Sequence, residues 1–303
     1  MFIVSPSRLL LCLVVSGLML GGCAKPVSSQ MQFAATPKVD EVKTSAIAVP
    51  AVLKMEQPMP AEILSPRNIG GRTLAVATTA DIVLRPGEVV LTFDDGPRAG
   101  KTEAILASLA DYGVKATFLM LGSSAAANPT LAQRVAIAGH TVGSHTYAHV
   151  NLADLTRQEA IVEIVKGEDA VSAALAGAGQ KLSPFFRFPY LSQTGFLRTG
   201  LLQSGAVVLD VDIDSKDYYK DTPATVAART LSRLEQRGSG IVLFHDIHQR
   251  TVDMLPVFLD QLARRGYTVV RLVPRDTSIF GRDLITAGVV EDACGDCKTS
   301  VVN

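Results

Sequence analysis

From Pro86-Gly87 onward the chain alternates apolar runs with amphipathic stretches, and this alternation limits the fold more than any other feature. The apolar runs at 89–93, 116–121, 141–144, 185–188, 206–213, 240–244 and 268–273 read as strands. Helices are expected between most of them. Ile105, Leu106 and Leu109 share one helical face, and Asn128 before Pro129 reads as an N-cap with proline at the first helical position. Thr156-x-x-Glu159 has the capping-box spacing, and a helix over 251–265 is closed by Gly266. Repeated βα units imply a parallel sheet with helices outside it. Seven such strands suit a barrel one unit short better than an open, doubly wound sheet. The chain has no glycine-rich phosphate loop, so a nucleotide-binding sheet has little support.

The residues able to do chemistry fall where a barrel would use them. Asp94-Asp95, His145, Arg187, Asp214 and His245 each stand at or just past the C-terminal end of an expected strand, the rim where barrel active sites assemble. Thr92-Phe93-Asp94-Asp95-Gly96-Pro97 brings two adjacent carboxylates, and His145 and His149 bring two imidazoles spaced i, i+4. One carboxylate and two neutral imidazoles hold a divalent cation and leave positions open for water, as a catalytic zinc site requires. The second carboxylate is then free to serve as a base. This points to metal-assisted hydrolysis. A helical turn after the strand would aim both imidazoles at one ion. Of the other histidines, His140 and His248 read as structural, with His248 also placed to meet a substrate.

The composition weakens a nucleic-acid reading and narrows little else. With 303 residues, 48% hydrophobic content and a formal net charge of +0, the chain reads as a soluble globular protein without pull toward nucleic acid. Arg8 precedes an apolar stretch over 9–20 that fits a signal segment and is short for a membrane span. Leu20-Gly21-Gly22-Cys23 resembles the lipobox of bacterial lipoproteins. Residues 1–22 would then be the signal and Cys23 the lipid-anchored first residue of an exported chain. An ordinary secretory signal with an incidental cysteine is the alternative. Ala24 suits the periplasmic face of an outer membrane, in an organism that has one. Residues 24–60 read as a tether, and 61–85 are ambiguous, with an edge strand at 72–79. The catalytic domain is expected over 86–274, with a tail over 275–303. In that tail Cys294 and Cys297 form a local disulfide or stay as free thiols.

Thr92-Phe93-Asp94-Asp95-Gly96, His145-Thr146-Tyr147-Ala148-His149, Arg187-Phe188-Pro189-Tyr190 and Leu243-Phe244-His245 together resemble the successive motifs of NodB-type polysaccharide deacetylases, carbohydrate esterase family 4. The resemblance implies a distorted (β/α)7 barrel and metal-dependent removal of acetyl groups from an N-acetylated glycan. It implies Asp95, His145 and His149 as ligands of a divalent metal, zinc first, with cobalt, nickel or manganese as alternatives. Asp94 corresponds to the general base and His245 to the general acid. Arg187 corresponds to the residue that positions the base and keeps it ionised, and Asp217 to the carboxylate that orients the acid histidine. The Tyr190 backbone N–H would meet the oxyanion, and Leu243 would line the pocket for the acetyl methyl. The fourth motif departs from the family: Asp217-Tyr218 stands where Asp-Trp is usual, and the chain has no tryptophan. Tyr218 still offers an aromatic wall to a sugar. Asp210, Asp212 and Asp214, at period two, are expected on one strand face. An O-acetyl esterase, a metal phosphoesterase and an inactive glycan-binding protein are the rival readings.

Overall fold

The structure, a computed structural model, describes residues 67–275. The expected signal, Cys23, the tether, Cys294 and Cys297 lie outside the described residues. In chain order the elements are β1 (Gly70–Val76), β2 (Glu88–Asp94), α1 (Thr102–Asp111), β3 (Thr117–Met120), α2 (Gly122–Ala127), α3 (Pro129–Ile137), β4 (Thr141–Ser144) and α4 (Arg157–Ala176). There follow β5 (Phe185–Phe186), α5 (Gly195–Gln203), β6 (Val207–Val208), β7 (Ile213–Asp214), α6 (Pro223–Arg237), β8 (Gly240–His245), α7 (Gln249–Arg264) and β9 (Thr268–Pro274).

Every strand pair is parallel. β2 through β6 pair in succession, β7 pairs with β8, and β8 returns to β2. These strands therefore curl into a nearly closed (β/α) barrel with its break between β6 and β7. β9 pairs with the first residues of β2 and carries β1 on its other side.

Alternation along the strands divides two cores. Val89, Leu91 and Phe93 of β2 face the helices, where Phe93 stacks between Phe118 and Phe244 at centroid distances of 5.1 and 5.7 Å. Val90, Ile241 and Phe185 belong to the other core, lining the barrel interior. Because side chains alternate with period two, Thr92 and Asp94 share the interior face with Val90. Leu243 and His245 likewise share a face with Ile241. β2 is buried along its whole length, as a central parallel strand should be.

The helix signals act largely as expected. Thr156 and Glu159 cap α4 reciprocally, and Gly266 ends the α7 region with φ +72°. Pro129 does open α3, but Asn128 makes no side-chain cap. Its amide donates instead to the carbonyls of Pro97 and Ser124, tying α3 to the loop after β2.

The run at 206–213 is two short strands, β6 and β7, and not one. Residues 209–212 cross the barrel's break, so Asp210, Asp212 and Asp214 do not form one face. Each is held by a different partner: Asp210 by Arg198 (2.7 Å), Asp212 by Arg237 and the Ile241 N–H, and Asp214 by the Tyr218 hydroxyl (2.9 Å).

Candidate active site

The loops following β2, β4, β5, β7 and β8 meet at one end of the barrel. All six non-glycine residues with positive φ among the described residues lie in those loops: Asp95, Thr146, His149, Tyr190, Leu191 and Lys216. Left-handed backbone at residues with a Cβ costs energy and persists where the surroundings enforce it, most often at functional sites.

Asp95 Oδ1 stands 3.6 Å from His145 Nε2 and 3.5 Å from His149 Nε2, and the candidate ligand atoms all lie within 4.8 Å of one another. Asp95 Oδ1 is buried and has no hydrogen-bond partner among the described residues. Two donors about 2.1 Å from a tetrahedral ion stand about 3.4 Å apart, so this spacing fits one shared cation. His145 Nδ1 lies 2.8 Å from the Arg187 carbonyl, which only accepts. Nδ1 therefore carries the hydrogen, and Nε2 keeps its lone pair for a ligand, the usual outer support of a metal-binding imidazole. Burial holds His145 well below the ordinary imidazole range, against the pull of Asp94 and Asp95, and so keeps it neutral.

The expected helical turn at 145–149 is absent. The segment is an irregular loop in which Thr146 (φ 69°) and His149 (φ 57°) are left-handed, and these two reversals swing His149 back to its partner. The loop is clamped from both sides. Gly122 and Ser123 donate backbone hydrogen bonds to the Thr146 and Tyr147 carbonyls (2.8 and 3.0 Å), and α4 packs on it at Gly167. A Cβ at Gly167 would overlap the Thr146 carbonyl group. Gly167→Ala would gain about 1 kcal/mol in helix propensity, yet backbone overlap of this kind costs about 1–3 kcal/mol. We expect net destabilisation in a denaturant titration together with weaker metal binding. A stabilised variant with unchanged metal affinity would show that this contact does not position the histidines.

Asp94, buried at the end of β2, receives the Arg187 guanidinium at 2.9 Å, and its other oxygen lies 3.8 Å from His145 Nε2. Arg187 is 0% exposed. It also donates to Thr92 Oγ1 (2.7 Å) and the Leu209 carbonyl (3.1 Å). Across the site, Asp217 receives the His245 backbone N–H (2.7 Å), the His245 ring Nδ1–H (2.7 Å) and the Thr251 hydroxyl (2.6 Å). Burial opposes charge on His245, but the Asp217 carboxylate outweighs it and holds the imidazole up at about 9. Burial likewise opposes the Asp217 charge, and the bonds from His245 and Thr251 overcome it, keeping Asp217 below the usual carboxylate range. The pair is an imidazolium on a carboxylate.

The remaining predicted residues are more loosely gathered. Tyr190 (φ 57°) is 67% exposed, with its ring 4.5 Å from that of His149. Tyr218 meets the His245 ring edge-on at 5.5 Å. Leu243 is buried in β8. The cavity beside Asp95 and His149 is lined by none of the three. His248 borders His245 at 5.8 Å between rings, while His140 is structural, its Nδ1 accepting the Ala116 N–H.

Four supporting residues escape the sequence reading: Thr92, Gly167, Thr251 and Asp246. Asp246 is fully buried, accepts from Thr102 Oγ1 at 2.6 Å and fills the space where a Cβ on Gly96 would sit. Burial pushes it up to about 7. Its position directly after His245 was the available signal, because an acidic residue ending an apolar strand needs a partner.

A family model described as polysaccharide deacetylase matches residues 83–208. The chain is 34% identical over 211 residues to a chitin deacetylase of Colletotrichum lindemuthianum, covering 66% of this chain and 83% of that protein. It is 32% identical over 185 residues to the peptidoglycan-N-acetylglucosamine deacetylase PgdA of Listeria monocytogenes, covering 61% of this chain and only 38% of that protein. Among solved structures, a peptidoglycan deacetylase of Bdellovibrio bacteriovorus aligns with a TM-score of 0.62 at 37% identity, covering 72% of this chain and 60% of that one.

Proposed function

This chain belongs to the polysaccharide deacetylase family, and from that we propose that it hydrolyses acetamido groups of a peptidoglycan or chitin-type glycan, using one divalent cation held by Asp95, His145 and His149. The observation that carries this reading is the buried Asp95 Oδ1, which faces both imidazoles and has no hydrogen-bond partner among the described residues. Zinc suits the nitrogen and oxygen donors, and cobalt, nickel or manganese suit them as well.

When bound, such a cation supplies an acidified water and polarises the acetyl carbonyl. Asp94, fixed by Arg187, takes the proton of the attacking water. His245 starts as the imidazolium that Asp217 maintains and gives its proton to the departing sugar amine. Tyr190 offers its backbone N–H to the developing oxyanion, and Leu243 accommodates the acetyl methyl. Tyr218 forms a wall beside the acid. Arg187 thus fixes the base on one side, and Asp217 keeps the acid protonated on the other.

Acetate release from N-acetylglucosamine oligomers and from acetylated xylan tests the reading. Release from the oligomers is expected. Release from xylan alone would make the protein an O-acetyl esterase, and release from neither with any divalent metal would leave only a glycan-binding role. The acid assignment has its own test. Activity is expected to fall as pH rises through about 9, where His245 loses its proton. Asp217→Asn removes the partner that offsets burial, so the alkaline limb of kcat/KM moves to lower pH. An unmoved limb would assign the proton to another group.

A further inference from the structure

We infer that the rim of this site reads an anionic substituent on the glycan, through Arg98 and Lys101. The inference rests on the deacetylase reading and narrows its substrate class. A cavity of about 670 Å³ opens beside Asp95 and His149, and Arg98 and Lys101 stand in its wall. That volume suits a sugar-sized ligand. Neither side chain has an ion-pair partner among the described residues. The acidic residue that follows them in the chain, Glu103, is turned elsewhere, to the Gly100 N–H (2.7 Å) and to Arg134 (3.7 Å). Asp95 is the one carboxylate in the lining, and the metal reading already engages it.

The turn carrying the two cations is fixed to the reaction centre. The Arg98 carbonyl accepts the backbone N–H groups of Lys101 and Thr102 (3.1 and 2.9 Å), and the Arg98 N–H donates to Thr102 Oγ1 at 2.8 Å. Thr102 in turn donates to Asp246, which packs on Gly96 next to Asp95. Two uncompensated cations held at a set position beside a hydrolytic centre attract an anion more than a neutral hydroxyl. Arg98 supplies the planar fork that matches a carboxylate or phosphate, and Lys101 a point charge. A neutral chitin-type strand leaves both without a partner.

The experiment compares kcat/KM for acetate release from three forms of an N-acetylated oligomer: one bearing lactyl carboxylates, one bearing phosphate monoesters, and the carboxyl-reduced neutral form. The wild type is expected to favour an anionic form over the neutral one by about tenfold, the size of two partly exposed ion pairs. Which anionic form it favours identifies the substituent. R98Q/K101Q is expected to bring that ratio close to one, mainly through KM. Because exposed charge pairs are screened by salt, raising NaCl should shrink the wild-type ratio without any substitution. A wild-type ratio near one, or a ratio that the double substitution and salt leave unchanged, would overturn the inference alone. No acetate from any of the three forms, nor from N-acetylglucosamine oligomers, would overturn the deacetylase reading and the inference with it.

Discussion

Asp94→Asn is expected to lower kcat for acetate release by about 10²–10⁴-fold, the usual contribution of one positioned proton transfer. The size of the effect follows from how the residue is held. Asp94 is buried at the end of β2 and fixed by the Arg187 guanidinium at 2.9 Å, with its second oxygen turned toward the histidines. Asparagine keeps the shape and still accepts a hydrogen bond from Arg187, but it cannot take a proton from water. Metal stoichiometry, measured by titration calorimetry, should therefore stay near wild type while turnover collapses, although the buried Arg187 charge left without its partner lowers the denaturation midpoint. Asp95→Asn should separate from it by losing the metal first. A variant at Asp94 with wild-type turnover would show that the base lies elsewhere.

Arg187→Met is expected to destabilise the fold by about 3–5 kcal/mol, as removal of one partner from a buried ion pair does. Arg187 has no exposed surface, and it joins Asp94 and Thr92 of β2 to the Leu209 carbonyl beyond β6. It thus ties together strands on either side of the barrel's interior, close to the break between β6 and β7. Methionine fills much of the space yet leaves the Asp94 carboxylate buried without a cation. The test is a double-mutant cycle in urea. Arg187→Met combined with Asp94→Asn should cost clearly less than the sum of the single changes, because the stranded charge is gone. Strict additivity would mean that the loss came from packing and not from the pair.

Much of this architecture was legible in the chain, and what was hidden shares a physical cause. The strand runs could be read because a central parallel strand such as β2 is buried over its length and carries an apolar run, Val89–Leu91 with Phe93, and the rim residues stand at the ends of such runs. The capping box of α4 and the glycine after α7 are local signals with local consequences. The break at 209–212 could not be read, because each aspartate there is fixed by a residue distant in sequence: Arg198, Arg237 or the Ile241 N–H. The i, i+4 spacing of His145 and His149 suggested the right cluster through the wrong geometry. Two left-handed residues bring the rings together, and what holds those residues is the approach of α2 and of Gly167 on α4. Thr92, Thr251 and Asp246 are ordinary letters in sequence and gain their roles only from side-chain hydrogen-bond partners as far as 150 positions away.

The account stands on one cation shared by Asp95, His145 and His149, with Asp94 and His245 left uncoordinated. An anomalous difference map recorded at the zinc edge from crystals of the zinc-loaded protein tests this directly. The expected result is a single peak about 2.0–2.2 Å from one Asp95 oxygen and from Nε2 of each histidine, with the Asp94–Arg187 and Asp217–His245 pairs intact. No peak among these three residues, or a peak ligated by Asp94 or His245, would contradict it.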